Sequence, residues 1–423
     1  MKPSKISVLI AAVAALTLPI SACSSSTGED ATGDPINIDV TEVTNTDDSG
    51  SDATEPEPEP EPDVTFTVVG TGDVLSHMPV VHNSIQADGT YDYAPLVADI
   101  KPFIEGADLA LCHQEVPLTY DEASASGYPV FAAPAGWARS TKELGYDGCS
   151  TASNHSWDRG WGGVEDTIDI LTENGLGFSG TSHADDQDPI QFYTVTKEGR
   201  DIKVAHLSFT YGLNYEVVPE IDANPWLVNR DDPDHIIALA KQARDEDADV
   251  VIVSSHGGIE YQAEPSQRQI EWAQAFADSG VIDLYLGHHV HVPQPIDKFE
   301  GGVDGQGMWA FFGTGNLVSN MHPYMGYGTQ NGYIAHATIT VPAEGSARVD
   351  AAKYTGVLLD DQTNQVFIAS TYQQANYPGS ALTDANAQLF YDHLKSVMGD
   401  AEELTEAPGT VADPVEVIPR AFG

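Results

Sequence analysis

Basic residues are scarce: the 423-residue chain has 18 Lys and Arg against 64 Asp and Glu, a formal net charge of −46 with histidine neutral. Phosphate backbones reward clustered Lys and Arg, so this balance excludes nucleic acid as a partner. Cysteine is nearly absent, and three residues are too few for a disulfide framework. Cys112 and Cys149 lie in apolar, strand-like runs and are expected to be two free buried thiols, a bridge between them being the alternative in an exported protein. No fixed-period repeat is present, and the apolar run at residues 6–20 falls short of the roughly 20 residues that span a bilayer.

What that run does have is an export signal's surroundings. Lys2 and Lys5 precede it, and Ser21-Ala22-Cys23 follows it, so residues 1–23 read as a leader rather than as part of the fold. Small residues directly before a cysteine resemble a bacterial lipobox, which implies lipidation at Cys23 and a protein held on the outer face of the cell membrane. Residues 24–63 are rich in Ser, Thr, Gly, Asp and Glu, contain no Lys or Arg, and close on alternating Glu and Pro at 55–62. That composition predicts a disordered, self-repelling tether. Residues 64–358 are long enough for one large core, and 359–423 form a C-terminal extension with one expected helix at 385–398.

Within 64–358, apolar strand-like runs alternate with amphipathic ones, the pattern of a layered α/β fold. Strands are expected at 64–69, 109–112, 149–152, 250–254 and 282–286, with helices at 163–174, 232–243 and 266–278 between them. The β-rich stretch 308–354 suggests a second sheet in a sandwich.

Polar clusters follow five of these strands, where open α/β sheets place their ligand-binding loops. They are Gly72-Asp73 with His77, His113-Gln114-Glu115, Asn154-His155 with Asp158, His256-Gly257-Gly258-Ile259-Glu260, and Gly287-His288-His289-Val290-His291. Oxygen and imidazole donors without thiolate suit first-row divalent ions, Mn, Fe, Zn, Co or Ni, and a pair of such ions can activate water for attack on phosphorus. In the last cluster, alternate residues His289 and His291 are expected to face the same side of an extended segment. His113 and His288 read as supporting residues.

In this order the motifs, completed by Gly313-Thr314-Gly315-Asn316, resemble the bacterial capsule-synthesis family CapA, associated with poly-γ-glutamate and similar to calcineurin-like metallophosphoesterases. The resemblance spans about residues 66–318 and implies a four-layer αββα sandwich flanked by helices. It implies a cofactor of two divalent metal ions, with ligation by Asp73, Glu115, Asn154, His256, His289 and His291. It also implies that His155 is the general acid. His77 is a further candidate ligand, although it stands four residues after Asp73 where the wider superfamily often has a histidine two residues after. Arg159, beside the Asn-His motif, is the candidate contact for a substrate anion.

Two functions of different class follow. The first is a metal-dependent phosphoesterase or related hydrolase acting on an anionic envelope polymer or phosphoester in capsule or poly-γ-glutamate synthesis. The second is a non-catalytic assembly component that holds the polymer or partners a membrane synthase. A periplasmic binding protein would need two comparable lobes, of which the sequence shows no sign.

Overall fold

A computed structural model describes residues 62–423 apart from 216, 322–327, 412 and 423. The leader, Cys23 and the tether up to residue 61 lie outside the described residues. The chain begins with β1 (Val64–Val74), β2 (Leu109–Gln114), the helix α1 (Gly136–Leu144), β3 (Gly148–Ser150), α2 (Gly160–Glu173) and β4 (Gly177–Ser179). A hairpin, β5 (Gln191–Lys197) and β6 (Arg200–Thr210), leads to α3 (Pro233–Asp245), β7 (Val250–His256), α4 (Gln267–Ser279) and β8 (Leu284–His288). Then come β9 (Ile296–Phe299), β10 (Met308–Phe311), β11 (Asn316–Val318), β12 (Asn331–Val341), β13 (Arg348–Leu359), β14 (Val366–Ile368), α5 (Asp384–Met398) and β15 (Glu416–Ile418).

These strands make two large sheets. The first runs β14-β13-β12-β1-β2-β3-β4, with β11 also paired to β1, and the second runs β9-β10-β8-β7-β6-β5-β15. Side-chain alternation explains the layering. In β1, Phe66 and Val68 enter the core between the sheets while Val69 faces outward; in β7, Val250 and Ile252 face in while Val251 and Val253 face out. The outward face of the first sheet packs on α1 and α2 through Trp137, Val164, Ile168 and Leu171. The outward face of the second packs on α3 and α4 through Ile236, Leu239, Trp272 and Phe276. Strands covered on both faces must be apolar along their whole length, which is why these parallel strands read as unbroken hydrophobic runs. The result is the four-layer αββα arrangement.

Two expectations need correction. The stretch 308–354 is not a separate sheet: β10 joins the second sheet, while β12 and β13 extend the first on the antiparallel side of β1. Composition alone cannot tell which partner a β-rich segment will choose. Cys112 and Cys149 are bridged rather than free. They are directly opposed on the adjacent parallel strands β2 and β3, with Cα atoms 4.4 Å apart, so the pairing follows from register.

The residues after 358 return to both sheets. Leu394 and Met398 of α5 enter the inter-sheet core, and β15 pairs antiparallel with β5. Beyond it the buried Arg420 donates to the carbonyls of Asp188 (2.6 Å) and Thr181 (2.7 Å). Among the described residues no helix is long and apolar enough to cross a membrane.

Candidate metal centre

The carboxyl ends of the parallel strands β1, β2, β3, β7 and β8 meet at one edge of the sandwich. β1 does not stop at residue 69 but continues to Val74, because Gly72 lets it run against β11: a Cβ there would lie 2.3 Å from the Gly315 carbonyl oxygen. Gly287 does the same in β8, where a Cβ would meet the Phe312 carbonyl at 1.9 Å. This close approach of backbones carries Asp73 at the end of β1 to the loop after β8, where its Oδ2 accepts the His289 backbone N–H at 3.1 Å and faces His291 Nδ1 at 3.2 Å. Asp73 Oδ1 faces His288 Nδ1 at 3.5 Å.

His289 and His291 are not on a strand. β8 ends at His288, and both residues take left-handed backbone, φ 90° and 59°. Non-glycine residues rarely adopt that conformation, at a cost of about 1–3 kcal/mol each, unless their surroundings impose it. The turn brings both imidazoles to the centre, where strand alternation was expected to do so.

Asp73, Glu115, Asn154, His256, His289 and His291 are all buried and joined in a continuous series of pairwise contacts. Ligand atoms of Asp73, Glu115 and His291 lie within 4.8 Å of one another, as do those of Glu260, His289 and His291, and those of Asp73, His113 and His288. Glu115 Oε1 is 3.9 Å from His291 Nε2 and 4.0 Å from His256 Nε2. Asn154 Nδ2 donates to Asn214 Oδ1 (3.0 Å), which turns Asn154 Oδ1 toward His256 Nε2 at 2.7 Å. Behind His256 a hydrogen-bonded row runs from its Nδ1 to His113 Nε2 (2.8 Å), and from His113 Nδ1 to Ser150 Oγ (2.7 Å). His113, stacked 4.2 Å from His288, therefore sets the ring plane of His256, the part a partner behind a ligating imidazole plays.

A divalent cation fits this donor set. Both Glu115 carboxylate oxygens, Asp73 Oδ1 and His289 Nδ1 are buried without a hydrogen-bond partner, a costly state for polar groups out of water. Two donors each about 2.1 Å from one ion stand at most about 4.2 Å apart, and the Glu115–His291 and Glu115–His256 separations fall inside that span. The protonation tendencies agree. Burial pushes the Glu115 carboxyl well above its usual range. Burial alone would raise Asp73 too, but the neighbouring His288 and His291 imidazoles hold it well below. Burial would lower His291, yet the Glu115 and Asp73 carboxylates push it up to about 9, whereas burial brings His289 down to about 3. Such a site contains strong fields that a bound cation would oppose or reverse.

Asn154 and His291 of the centre line a cavity of about 930 Å³, together with Phe131, His155, Tyr215, Glu260 and Tyr261 among others. His155 Nδ1 lies 2.6 Å from Asp158 Oδ2, which also accepts the Phe131 backbone N–H at 2.8 Å, and the Phe131 ring stands edge-on to His155 at 4.7 Å. Tyr215 also lines a second cavity of about 1010 Å³, which contains none of the clustered ligands.

Other sequence-based candidates fall outside the centre. His77 lines the cavity and its Nδ1 accepts the Asn320 N–H at 3.3 Å, but it belongs to none of the three ligand groups. Arg159 is exposed, bonds Ser124 Oγ at 3.2 Å and does not line the cavity, because it precedes α2 on the outer surface. Asn214 and Glu260 had not been singled out as site residues. Glu260 was visible in its motif four residues after His256, whereas Asn214 lies in a segment without regular structure and has no local signal.

The family model described as "Bacterial capsule synthesis protein PGA_cap" matches residues 67–321. The chain is 28% identical over 257 residues to "Capsule biosynthesis protein CapA" of Bacillus anthracis, covering 59% of this chain and 54% of that protein. It is 30% identical over 179 residues to "PGA biosynthesis protein CapA" of Bacillus subtilis (strain 168), covering 42% and 43%. It thus spans about half the length of the curated relatives it matches. Among solved structures, the Haemophilus influenzae NAD nucleotidase superposes with a TM-score of 0.42 at 12% identity, covering 82% of this chain and 58% of that one. The 5'-nucleotidase precursor from Thermus thermophilus gives 0.39 at 13% identity, covering 79% and 59%.

Proposed function

The chain belongs to the bacterial capsule synthesis family PGA_cap, and from that premise we propose that it is a metal-dependent phosphoester hydrolase acting on a capsule or poly-γ-glutamate polymer, or on its precursor, at the cell surface. The process comes from the names of the relatives, which are called capsule and PGA biosynthesis proteins. The chemistry rests on one observation: two fully buried carboxylates, Asp73 and Glu115, with unpartnered oxygens and imidazoles beside them, one of which, His291, lines a cavity.

Asp73, Glu115, Asn154, His256, His289 and His291 would hold a pair of divalent ions. When bound, those ions would supply positive charge to a phosphate oxygen and acidify a water for in-line attack. The remaining tasks fall to the chain itself. Asp158 Oδ2 accepts a backbone N–H from Phe131, so toward His155 it acts as an acceptor, and His155 Nδ1 carries the hydrogen. His155 Nε2, which lies 3.3 Å from Asn214 Nδ2, is then the ring nitrogen that would hold a proton for the leaving oxygen. Asn214 fixes the Asn154 amide, and Phe131 excludes water from one face of His155.

The test is the metal content of the protein purified without added metal or chelator, with hydrolysis of a generic phosphodiester in the presence of Mn. About two ions per chain and turnover lost in His155→Ala with metal retained are expected. A protein with no bound metal and no turnover would refute the hydrolase and favour an assembly component partnering a membrane synthase.

A further inference from the structure

The buried group Asp73, Glu115 and His291 and the group Glu260, His289 and His291 share one imidazole, and in each the ligand atoms lie within 4.8 Å of one another. They differ in position. Asp73 and Glu115 are fully buried at the strand ends, whereas Glu260 is exposed and lines the cavity. With His291 common to both, the first group is enclosed and the second reaches the cavity through Glu260.

Glu260 is not placed like an ordinary surface acid. Its segment is stitched to the loop after β8: Gly257 N donates to the His288 carbonyl at 3.3 Å, and Tyr261 N to the Val290 carbonyl at 2.8 Å. Gly258 has φ 133°, and a Cβ there would lie 2.5 Å from Val290 Cγ1. Tyr261, the next residue after Glu260, takes φ 64°, as His289 and His291 take 90° and 59°. Three left-handed non-glycine residues in two bonded loops cost several kcal/mol in sum, at about 1–3 kcal/mol each. Their common result is to bring Glu260, His289 and His291 together. His289 is itself buried, with Nδ1 lacking any hydrogen-bond partner.

We propose that Glu260 is a cation ligand, holding with His289 and His291 a divalent ion on the cavity side of the centre. The inference rests on the metal-centre reading above and extends its ligand set by a residue outside that set. Two imidazoles and one carboxylate, with the remaining directions open to the cavity, make the three-ligand pattern of a catalytic rather than a structural position. An ion held through an exposed carboxylate exchanges with solvent more readily than one enclosed by Asp73 and Glu115.

The experiment is equilibrium dialysis of the metal-free full-length protein against a free Mn concentration that saturates the wild type, with ions per chain measured by elemental analysis. Wild type should hold about two ions and Glu260→Gln about one, with affinity for the lost ion reduced about tenfold or more. Glu264→Gln, four residues away and exposed, should match wild type and controls for the loss of a nearby charge. Equal binding by Glu260→Gln and wild type would overturn the assignment, and so would loss of all ions from Glu260→Gln. A wild type that binds no Mn would instead overturn the metal centre itself. Because Glu260 is exposed, an unchanged circular dichroism spectrum is expected, and Glu260→Ala provides a second variant that removes the ligand.

Discussion

At the scale of single residues, Asp158 has one oxygen doing two things and another doing nothing. Oδ2 binds both Phe131 N and His155 Nδ1, while Oδ1 is buried without a partner. Asp158→Asn can keep an amide oxygen at the Oδ2 position for both hydrogens, but it removes the negative charge beside His155 and buries an NH2 without an acceptor at the Oδ1 position. Turnover should fall roughly 100-fold with ions per chain unchanged; a variant as active as wild type would show that the contact is structural only. Asp158 is legible in the Asn-His motif, and Glu115, His256, His289 and His291 in polar clusters at or just after the ends of apolar strands. Arg159 stands outside the cavity lining, since adjacency in sequence says nothing about which side of α2's first turn a long side chain takes.

At the scale of elements, the centre depends on how closely five strand ends approach. The order of strands and helices could be read from apolar periodicity, and helices such as α4 end where left-handed glycine, here Gly280, stops them. The partners of β12 and β13 could not be read, since their alternation is satisfied by either sheet. The bridge between Cys112 and Cys149 escaped for the same reason: it depends on β2 lying beside β3 in register. It joins the residues immediately before His113 and Ser150, the row that supports His256. With the cysteines 37 positions apart in sequence, replacing both by serine should lower stability by about 3–4 kcal/mol on the chain-entropy estimate. Urea unfolding of oxidised wild type and the double variant measures this, and coincident midpoints would show that packing alone sets the β2–β3 register.

For the whole molecule, the proposed surface location rests on the leader and Cys23, and 13 of the 64 acids lie in residues 24–63, away from the catalytic motifs in sequence. If Cys23 is lipidated, Cys23→Ala should move the protein from the membrane fraction to a soluble one after cell fractionation. A variant that stays with the membrane would refute the anchor. The net charge has a separate effect: an anionic substrate meets a repulsive field that salt screens over about 8 Å, so ions at the centre would have to offset it locally.

The return of β15 to the second sheet bears on crowding. An open strand edge offers unpaired amides and carbonyls to any neighbouring copy, and proteins concentrated on a surface meet copies often. Here β15 covers the free side of β5, with Arg420 pinning the chain beyond it, and the opposite edge is the four-residue β9 with Asp297 and Lys298 at its middle. The first sheet ends in the three-residue strands β4 and β14. Among the described residues these borders are thus short, charged or partly covered, which limits lateral polymerisation by strand addition.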